Sequence, residues 1–289
     1  MSDRTEAFQI SAEAAEAYEA RFVPALFASW SEEVVGTAGL RAGQDVLDVA
    51  CGTGVVARAV ADRLAGSGRV VGLDLNPAML AVAARLRPDI DWREGDVASL
   101  PFGGASFDLV TCQAALMFFR DPVQALREMS RVARPGGALV ILVPGRFESS
   151  PAYVRLAEVA AEYAPGAADL FQTYFVHGDL PELARLFARA GLQVETTRSD
   201  MRHVVFGSLD DFVATEVGAT PLAEQIDAAT YRRLLADAHE ALAEYVTPDG
   251  RSRIPIESHV VRAFLPTDEK SRHIDNPARQ EPTAQSHHR

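Results

Sequence analysis

The sequence contains very little lysine and very little cysteine. Lys270 is the one lysine among 28 basic residues, and Cys51 and Cys112 are the two cysteines of the 289-residue chain. Two cysteines cannot form a disulfide scaffold or a four-thiolate zinc site. Reductase chemistry of the Tyr-x-x-x-Lys type is also excluded, because the residue four positions before Lys270 is Pro266.

Long apolar runs and an excess of positive charge are also absent. The longest apolar run covers residues 138–143, whereas a membrane-spanning helix needs about 20 residues. The first residues, Met-Ser-Asp-Arg-Thr-Glu, do not follow the pattern of a signal peptide. A net charge of −12 repels nucleic-acid phosphates and anionic lipids. These features predict a cytoplasmic globular protein with a small-molecule substrate, no nucleic-acid partner and no membrane partner, and they leave the oligomeric state open.

The sequence does contain an alternation of strand and helix patterns. Strands are predicted over residues 45–50, 69–73, 90–94, 107–112 and 138–143. Helices are predicted over residues 55–64, from Asn76-Pro77 onward and from Asp121-Pro122 to about 133, and Pro135-Gly136-Gly137 is predicted as a turn. This alternation predicts an α/β fold with a doubly wound, mostly parallel sheet. The carboxyl ends of parallel strands then lie at one edge, where such sheets bind ligands.

The flanking regions have other patterns. Before the alternation, helices are predicted over residues 11–22, capped by Ser11, and over 24–35. After it, helices are predicted over residues 150–163, 179–190 with Asp179 as cap, and most of 209–246 with a break at Pro221; strands are predicted over 192–198, 201–206 and 254–265. The residues from Pro266 onward are polar, which predicts a disordered tail.

A glycine pair lies between the first predicted strand and its helix. Gly52-x-Gly54-x-x-Ala57 satisfies the dinucleotide fingerprint, and Asp74 lies twenty residues beyond Gly54. Glycines at such a turn let a ligand approach the backbone, and the following helix offers free N–H groups. On this motif alone, an NAD-dependent oxidoreductase is one interpretation.

Acidic residues near the ends of three successive strands favour a different ligand. Asp48 either anchors the glycine loop or faces the ligand, Asp74 is placed to accept from ribose hydroxyls, and Asp96 is placed to accept from an adenine amino group. A carboxylate repels a pyrophosphate but attracts a ligand that carries an ammonium and a sulfonium. The three acids therefore favour a cationic nucleoside over a dinucleotide.

Five segments in this order resemble the motifs of class I S-adenosylmethionine-dependent methyltransferases. They are residues 46–54 (VLDVACGTG), 72–79 (GLDLNPAM), 94–102 (EGDVASLPF), 106–110 (SFDLV) and 131–137 (RVARPGG). Residues 112–119 (CQAALMFF) are similar to the segment that lies beside the transferred methyl in the UbiE-like, small-molecule branch. Ala50 departs from the pattern, because many members have glycine there.

The resemblance implies a Rossmann-like methyltransferase fold with a seven-stranded sheet and S-adenosylmethionine as cofactor. It implies N-terminal helices covering the cofactor over residues 1–40, a cofactor-binding core over 41–150, the rest of the sheet with a helical substrate or lid insertion over 151–265, and the tail over 266–289. The implied cofactor-binding residues are Tyr18, Asp48, Ala50, Gly52, Gly54, Asp74, Leu75, Met79, Asp96, Val97 and Gln113.

Individual roles follow from the same resemblance. The two glycines, Gly52 and Gly54, cradle the methionine end, and Asp48 holds their loop or the ammonium. Met79 packs on the adenine or belongs to the core. Gln113 lies near the sulfonium, and Tyr18 closes over the cofactor or packs structurally.

The predicted reaction is methyl transfer to an apolar or aromatic small molecule by in-line displacement. Such a reaction mainly needs alignment and exclusion of water. His177 and His203 are candidate bases, although a structural or surface role is favoured for each. Aromatic residues that could line the acceptor pocket are Phe118, Phe119, Tyr174 and Phe175, with Tyr153, Phe171 and Phe206 as further candidates.

Two alternatives remain at this stage. A non-catalytic S-adenosylmethionine-binding module would share the same motifs, and an NAD-dependent oxidoreductase would share the glycines. A nucleic-acid methyltransferase disagrees with the negative charge and lacks an Asn-Pro-Pro-aromatic signature after the fourth strand. No metal is expected, because the chain contains neither His-Glu-x-x-His nor Cys-x-x-Cys.

Overall fold

The computed structural model of the protein describes residues 10–218 and 225–265. Seven strands form its central sheet: β1 (Asp45–Val49), β2 (Arg69–Asp74), β3 (Asp91–Glu94), β4 (Phe107–Gln113), β5 (Ala133–Pro144), β6 (Gln193–Phe206) and β7 (Ser252–Phe264). Their order is β3-β2-β1-β4-β5-β7-β6. The first five strands are parallel to one another, and β7 is antiparallel to both of its neighbours, β5 and β6. The prediction of a seven-stranded, mostly parallel, doubly wound sheet is confirmed.

Ten α-helices surround the sheet in the described part of the chain. They are α1 (Ala12–Phe22), α2 (Ala28–Ala38), α3 (Val55–Leu64), α4 (Pro77–Leu86), α5 (Pro122–Val132), α6 (Pro151–Tyr163), α7 (Ala167–Tyr174), α8 (Leu180–Arg189), α9 (Leu209–Gly218) and α10 (Ala228–Ala241). Four predicted N-caps, Ser11, Asn76, Asp121 and Asp179, each accept a backbone N–H of their helix. Helix α7 is additional to the predicted helices.

Helices cover both faces of the sheet because side chains alternate along the buried strands. On β1, Val46 belongs to one apolar core, which includes buried residues of α2, α3 and α6. The next residue, Leu47, belongs to a second core that includes buried residues of α5 and α8. Both side chains are fully buried, as expected for a parallel strand with helices on either side.

The second predicted helix is longer and less regular than its sequence pattern indicates. A π-helical segment, Val23–Phe27, joins α1 to α2, and α2 continues to Ala38 before Gly39 ends it with a φ of +62°. The sequence after Val35 contains Gly36 and Thr37, which are poor helix formers. Burial of Ala38 against the sheet extends the helix despite this local preference.

The prediction of two strands over residues 192–198 and 201–206 is wrong. The structure has one continuous strand, β6, which pairs with β7 from Gln193 opposite Phe264 to Phe206 opposite Ser252. The polar pair Ser199-Asp200 resembles a turn in the sequence, but it lies in mid-strand at the sheet edge and is exposed. Edge strands commonly carry such charged, outward residues.

The predicted turn at Pro135-Gly136-Gly137 lies inside β5. The strand begins at Ala133, which pairs with Phe107, and its register shifts before Ala138 pairs with Leu109. This shift accommodates the turn residues within the ladder. The predicted helical stretch 209–246 contains α9 and α10, whereas Pro221 and the tail 266–289 lie outside the described residues.

Candidate active site

A cavity of about 970 Å³ opens at the carboxyl-end edge of β1, β2 and β4. The order of strands reverses between β1 and β4, and ligands of doubly wound sheets bind at this reversal. The lining includes many residues singled out in the sequence: Tyr18, Ala50, Gly52, Asp74, Leu75, Met79, Asp96, Val97, Gln113, Phe118, Phe119, Tyr153, Tyr174 and Phe175.

The loop after β1 is held by the carboxylate that ends β2. The Gly52 N–H donates to Asp74 Oδ2 at 2.7 Å, and the Asn76 N–H donates to Oδ1 at 2.8 Å. Burial raises the pKa of Asp74, and these backbone hydrogen bonds oppose the rise. Ala50, at a φ of +52°, adopts the left-handed conformation that glycine takes without strain.

Gly54 does not line the cavity, and its glycine character has a packing cause. Its φ is +84°, and an added Cβ would lie 2.2 Å from Cη2 of Trp92 on β3. Trp92 is itself fixed by a hydrogen bond from Nε1 to the Arg87 carbonyl at 2.9 Å. Gly54 therefore serves the packing of α3 against the sheet, and Gly52 is the glycine that lines the cavity.

Asp48 anchors the glycine loop and does not line the cavity. Its Oδ2 accepts from the Ala57 N–H at 3.1 Å, in the first turn of α3, and its Oδ1 accepts from the Thr111 hydroxyl at 2.8 Å. The side chain is 1% exposed. Burial raises the pKa of Asp48 to about 7, and the hydrogen bonds from Thr111 and Ala57 oppose the rise. The structure thus favours the first of the two interpretations of this acid.

The ends of β2 and β3 supply one half of the cavity lining. Asp96 caps a short 3₁₀ turn by accepting from the Ala98 N–H at 2.8 Å. Val97 follows it, Leu75 is 39% exposed, and Met79 lies at the start of α4, packed against Ala15 of α1. All four residues, Asp96, Val97, Leu75 and Met79, line the cavity.

Two more lining residues come from the end of β4 and from α1. Gln113, at the end of β4, donates from Nε2 to the Phe27 carbonyl at 3.2 Å. Its Oε1 is buried and has no hydrogen-bond partner among residues 10–218 and 225–265. The Tyr18 ring stacks on Phe27 at 5.3 Å between centroids, and its hydroxyl lies 3.8 Å from the position that a Gly52 Cβ would take. Burial, and then the nearby Asp74 carboxylate, raise the pKa of Tyr18.

Aromatic rings form the other half of the cavity. The Phe118 and Tyr174 rings meet edge to face at 6.0 Å, and the Tyr153 and Phe175 rings do so at 5.4 Å. Phe119 also lines the cavity. The further candidates Phe171 and Phe206 belong to the apolar core and are absent from the lining.

The two candidate histidines are not brought to the cavity. His203 is exposed on β6, the edge strand, and His177 is partly buried in the segment that follows α7. Burial lowers the pKa of His177. Neither side chain lines the cavity, so the structure gives no support to a catalytic role for either of them.

Glu216 is a lining residue that the sequence analysis missed. It lies on α9, is 4% exposed and accepts from the Tyr153 hydroxyl at 2.8 Å. Burial raises the pKa of Glu216 to about 7, and the hydrogen bond from Tyr153 opposes the rise. Its neighbours on α9, Phe212, Val213 and Val217, are apolar and buried. An acid among apolar residues of a predicted helix is the sequence signal that indicates such a site.

Two further observations concern the described residues 10–218 and 225–265. They contain no group of three or more histidine, cysteine or acidic residues arranged to hold a metal ion. Within the same ranges, no helix has the length and apolarity required to cross a bilayer.

The stretch that carries most of these residues matches a known family. Residues 47–141 match the family model described as a methyltransferase domain. The chain is 48% identical over 112 residues to demethylmenaquinone methyltransferase of Renibacterium salmoninarum, an alignment that covers 39% of this chain and 46% of that protein. By this match residues 47–141 are a methyltransferase domain, similar to that of demethylmenaquinone methyltransferases.

Two other relatives of this methyltransferase domain have names that mention related compounds. The 2-phytyl-1,4-naphtoquinone methyltransferase of Thermosynechococcus vestitus is 40% identical over 116 residues, covering 39% of this chain and 52% of that protein. Demethylmenaquinone methyltransferase of Lysinibacillus sphaericus is 32% identical over 164 residues, covering 56% of this chain and 63% of that protein. The chain spans about half the length of the first curated relatives it matches. This stretch of the chain is therefore similar to UbiE-type methyltransferases.

Solved structures share the methyltransferase fold at low identity. Phosphoethanolamine N-methyltransferase 2 of Haemonchus contortus has a TM-score of 0.58 and 19% identity, covering 90% of this chain and 58% of that chain. The [4+2]-cyclase SpnF has a TM-score of 0.53 and 21% identity, covering 83% and 82%. These matches establish the fold alone, and a cyclase among them illustrates that one fold hosts several reactions.

The residues of the methyltransferase domain fit S-adenosylmethionine, the cofactor of this family. The acids Asp74 and Asp96 line the cavity, where their carboxylate oxygens can accept hydrogen bonds from the hydroxyl and amino groups of a nucleoside. The buried Gln113 Oε1 lacks a partner among the described residues, and a buried polar atom normally has one. Gly52 keeps its backbone open to the cavity.

Proposed function

We propose that this protein transfers the methyl group of S-adenosylmethionine to a small aromatic acceptor. The observation that carries the proposal is the joining of two different halves in one cavity of about 970 Å³. The lining at the ends of β2 and β3 includes the acids Asp74 and Asp96 with apolar side chains beside them, and the rest includes the aromatic rings of Phe118, Tyr153, Tyr174 and Phe175. Typical pockets for one small ligand measure about 300–1,000 Å³, and this cavity lies at the upper end of that range.

We assign the first half to the cofactor. Asp74 would accept from the ribose hydroxyls through the lone pairs that its backbone donors leave free. Asp96 and the backbone of Val97 would bind the adenine edge, with Met79 and Leu75 packed on the ring. Gly52 and Ala50 would contact the methionine end through backbone atoms. Asp48 and Gly54 would act indirectly, by fixing the loop and the helix behind it.

The cofactor, when bound, supplies a methyl carbon activated by positive sulfur. The chain then has to align an acceptor with that carbon and to exclude water. Tyr18, stacked on Phe27 over the glycine loop, would shield the cofactor from solvent. Gln113, between the two halves, would direct its unpaired Oε1 toward the positively charged part of the cofactor.

An aromatic ring is the acceptor that best suits the second half. Phe118 meets Tyr174 and Tyr153 meets Phe175 edge to face, and a flat aromatic ligand can make the same edge-to-face or offset-stacked contacts with such side chains. Relatives of this domain are named for methylation of demethylmenaquinone and of a phytyl naphthoquinone. A reduced naphthoquinone ring is therefore the first acceptor to test.

The test is turnover with 1,4-dihydroxynaphthalene under anaerobic conditions. The full chain is incubated with S-adenosylmethionine and this acceptor, and the methylated ring and S-adenosylhomocysteine are measured together by mass spectrometry. Equal formation of both products supports the proposal. Binding of S-adenosylmethionine and of aromatic rings without turnover of this acceptor or of a panel of other ring acceptors would favour a non-catalytic binding module.

A further inference from the structure

A buried carboxylate lies in the aromatic half of the cavity without an ionic partner. Glu216 is 4% exposed, and the same cavity is lined by Tyr153 of α6, Tyr174 of α7, Phe175 directly after α7, and Ile256 of β7. Glu216 is the one charged residue of this group. Among residues 10–218 and 225–265, no ion pair and one hydrogen bond involve its carboxylate, from the Tyr153 hydroxyl to Oε1 at 2.8 Å.

Such an arrangement is costly for the fold unless a ligand uses it. Removing a carboxylate from water is strongly unfavourable when the group is neither paired nor fully hydrogen-bonded. A carboxylate can accept several hydrogen bonds, and Tyr153 supplies one. The adjacent residue on α9, Thr215, is also buried, but its hydroxyl does not line the cavity. Glu216 therefore has acceptor capacity left where a second molecule would lie.

The electrostatic surroundings place this carboxyl group in the range useful for proton transfer. Burial raises the pKa of Glu216 to about 7, and the Tyr153 hydrogen bond opposes the rise. The pKa values of Tyr153 and Tyr174 are raised by burial and then by Glu216. On α10, His239 pairs with Asp210, but Asp210 is six residues before Glu216 on α9, about 9 Å along the helix axis. General bases work best when their pKa lies near the ambient pH.

We propose that Glu216, oriented by Tyr153, accepts the proton of a ring hydroxyl on the methyl acceptor, and that the acceptor is therefore a phenol or naphthol. This inference rests on the proposed function. The O–H bond breaks and its proton passes to the Glu216 carboxylate. The electron pair left on the aryloxide, or on its conjugated ring carbon, forms the bond to the methyl carbon, and the departing sulfur takes the electrons of the broken carbon–sulfur bond.

Ring-matched probes test the acceptor class by binding. The full chain, saturated with S-adenosylhomocysteine, is titrated calorimetrically with 1-naphthol, 1-methoxynaphthalene and (1-naphthyl)methylamine. A hydrogen bond to a charged group predicts that 1-naphthol binds at least about tenfold more tightly than the methoxy compound. Glu216→Gln should remove that preference and leave binding of 1-methoxynaphthalene unchanged. Thr215→Val is the matched control, an isosteric change one residue away on the same helix, and should keep the preference.

Kinetics separate proton transfer from positioning. With 1,4-dihydroxynaphthalene, Glu216→Gln should lower kcat by about 10²–10⁴-fold with little change in KM, and flatten the acid limb of the pH profile. Tyr153→Phe should keep most of the activity but move that limb to higher pH, because it removes the hydrogen bond that lowers the pKa of Glu216. A purely structural Tyr153 would lower stability without moving the limb.

Several outcomes would overturn the inference. They are a naphthol preference retained by Glu216→Gln, unchanged kcat in that variant, absence of naphthol binding by the wild type, or tighter binding of the cationic amine than of naphthol. Failure of the proposed function looks different, because the wild type would then bind S-adenosylhomocysteine and 1-naphthol but transfer no methyl group. Near-ultraviolet circular dichroism of each variant verifies that the fold is retained.

Discussion

Replacement of Gly54 by alanine tests the packing explanation of the second motif glycine. Alanine at this position would be destabilised in two ways. Its backbone would have to adopt a φ of +84°, and its Cβ would lie 2.2 Å from the Trp92 ring. Gly166 provides a matched control, because it also precedes a helix with a φ of +86° and would meet no atom within 4 Å. The difference between the two glycines is therefore the contact with Trp92.

The magnitudes follow from these two costs. A non-glycine residue in the left-handed region costs about 1–2 kcal/mol of unfolding free energy, which is the whole expectation for Gly166→Ala. Forcing a methyl group into a packed site adds about 1–3 kcal/mol, so Gly54→Ala should lose about 2–5 kcal/mol. In a Trp92→Leu background the ring is gone, and Gly54→Ala should then cost about as much as Gly166→Ala.

Urea denaturation followed by far-ultraviolet circular dichroism measures the unfolding free energies of the wild type, of Gly54→Ala, Gly166→Ala and Trp92→Leu, and of the double variant. This signal does not depend on tryptophan fluorescence, which Trp92→Leu would change. The reasoning is refuted if Gly54→Ala costs the same with and without Trp92. It is also refuted if Gly54→Ala leaves stability intact and abolishes cofactor binding, since Gly54 would then act on the ligand directly.

Three further predictions concern stability. Burial raises the pKa of Glu216 from 4.5 to about 7, so the folded state favours the neutral acid. The contribution of this group to the unfolding free energy is therefore complete below about pH 4.5 and is lost as pH rises through about 7. Glu216→Gln should then gain about 3 kcal/mol near pH 8 and little near pH 5; equal gains at both values in thermal melts would contradict the assignment. Thr111→Val removes a hydrogen bond to Asp48 and should cost about 1–3 kcal/mol, more near pH 8 than near pH 5, and a loss independent of pH would refute this. Ser11→Ala should cost about 1 kcal/mol at the start of α1, seen as faster hydrogen exchange in that helix alone; unchanged exchange would argue against the cap.

Local chemistry explains why much of the fold was predictable. The caps Ser11, Asn76 and Asp179 mark helix starts through side-chain hydrogen bonds within three residues, and such signals are carried by short segments. The sequence pattern predicts two strands in place of β6, because the polar residues Ser199 and Asp200 in its middle are exposed at the sheet edge. Its continuity depends on pairing with β7, far away in the chain, which no local pattern contains.

The cofactor half of the site was predictable for a related reason. Its residues follow consecutive strand ends, and parallel strands bring those ends together whatever lies between them. Gly54 and Asp48 were placed on the right loop, but their partners Trp92 and Thr111 come from other strands, so their supporting roles needed the structure. Glu216 was missed because α9 reaches the cavity only through tertiary packing.

We propose that the cavity binds an S-adenosyl nucleoside through Asp74. Isothermal titration calorimetry of the full chain with S-adenosylhomocysteine and with NADH tests it most directly. We expect one S-adenosylhomocysteine bound per chain, no binding of NADH, and affinity at least about tenfold weaker in Asp74→Ala. Asp91→Ala, a change at an exposed acid of the neighbouring strand, should bind as the wild type does. Binding of NADH without S-adenosylhomocysteine, or unchanged affinity in Asp74→Ala, would contradict the claim.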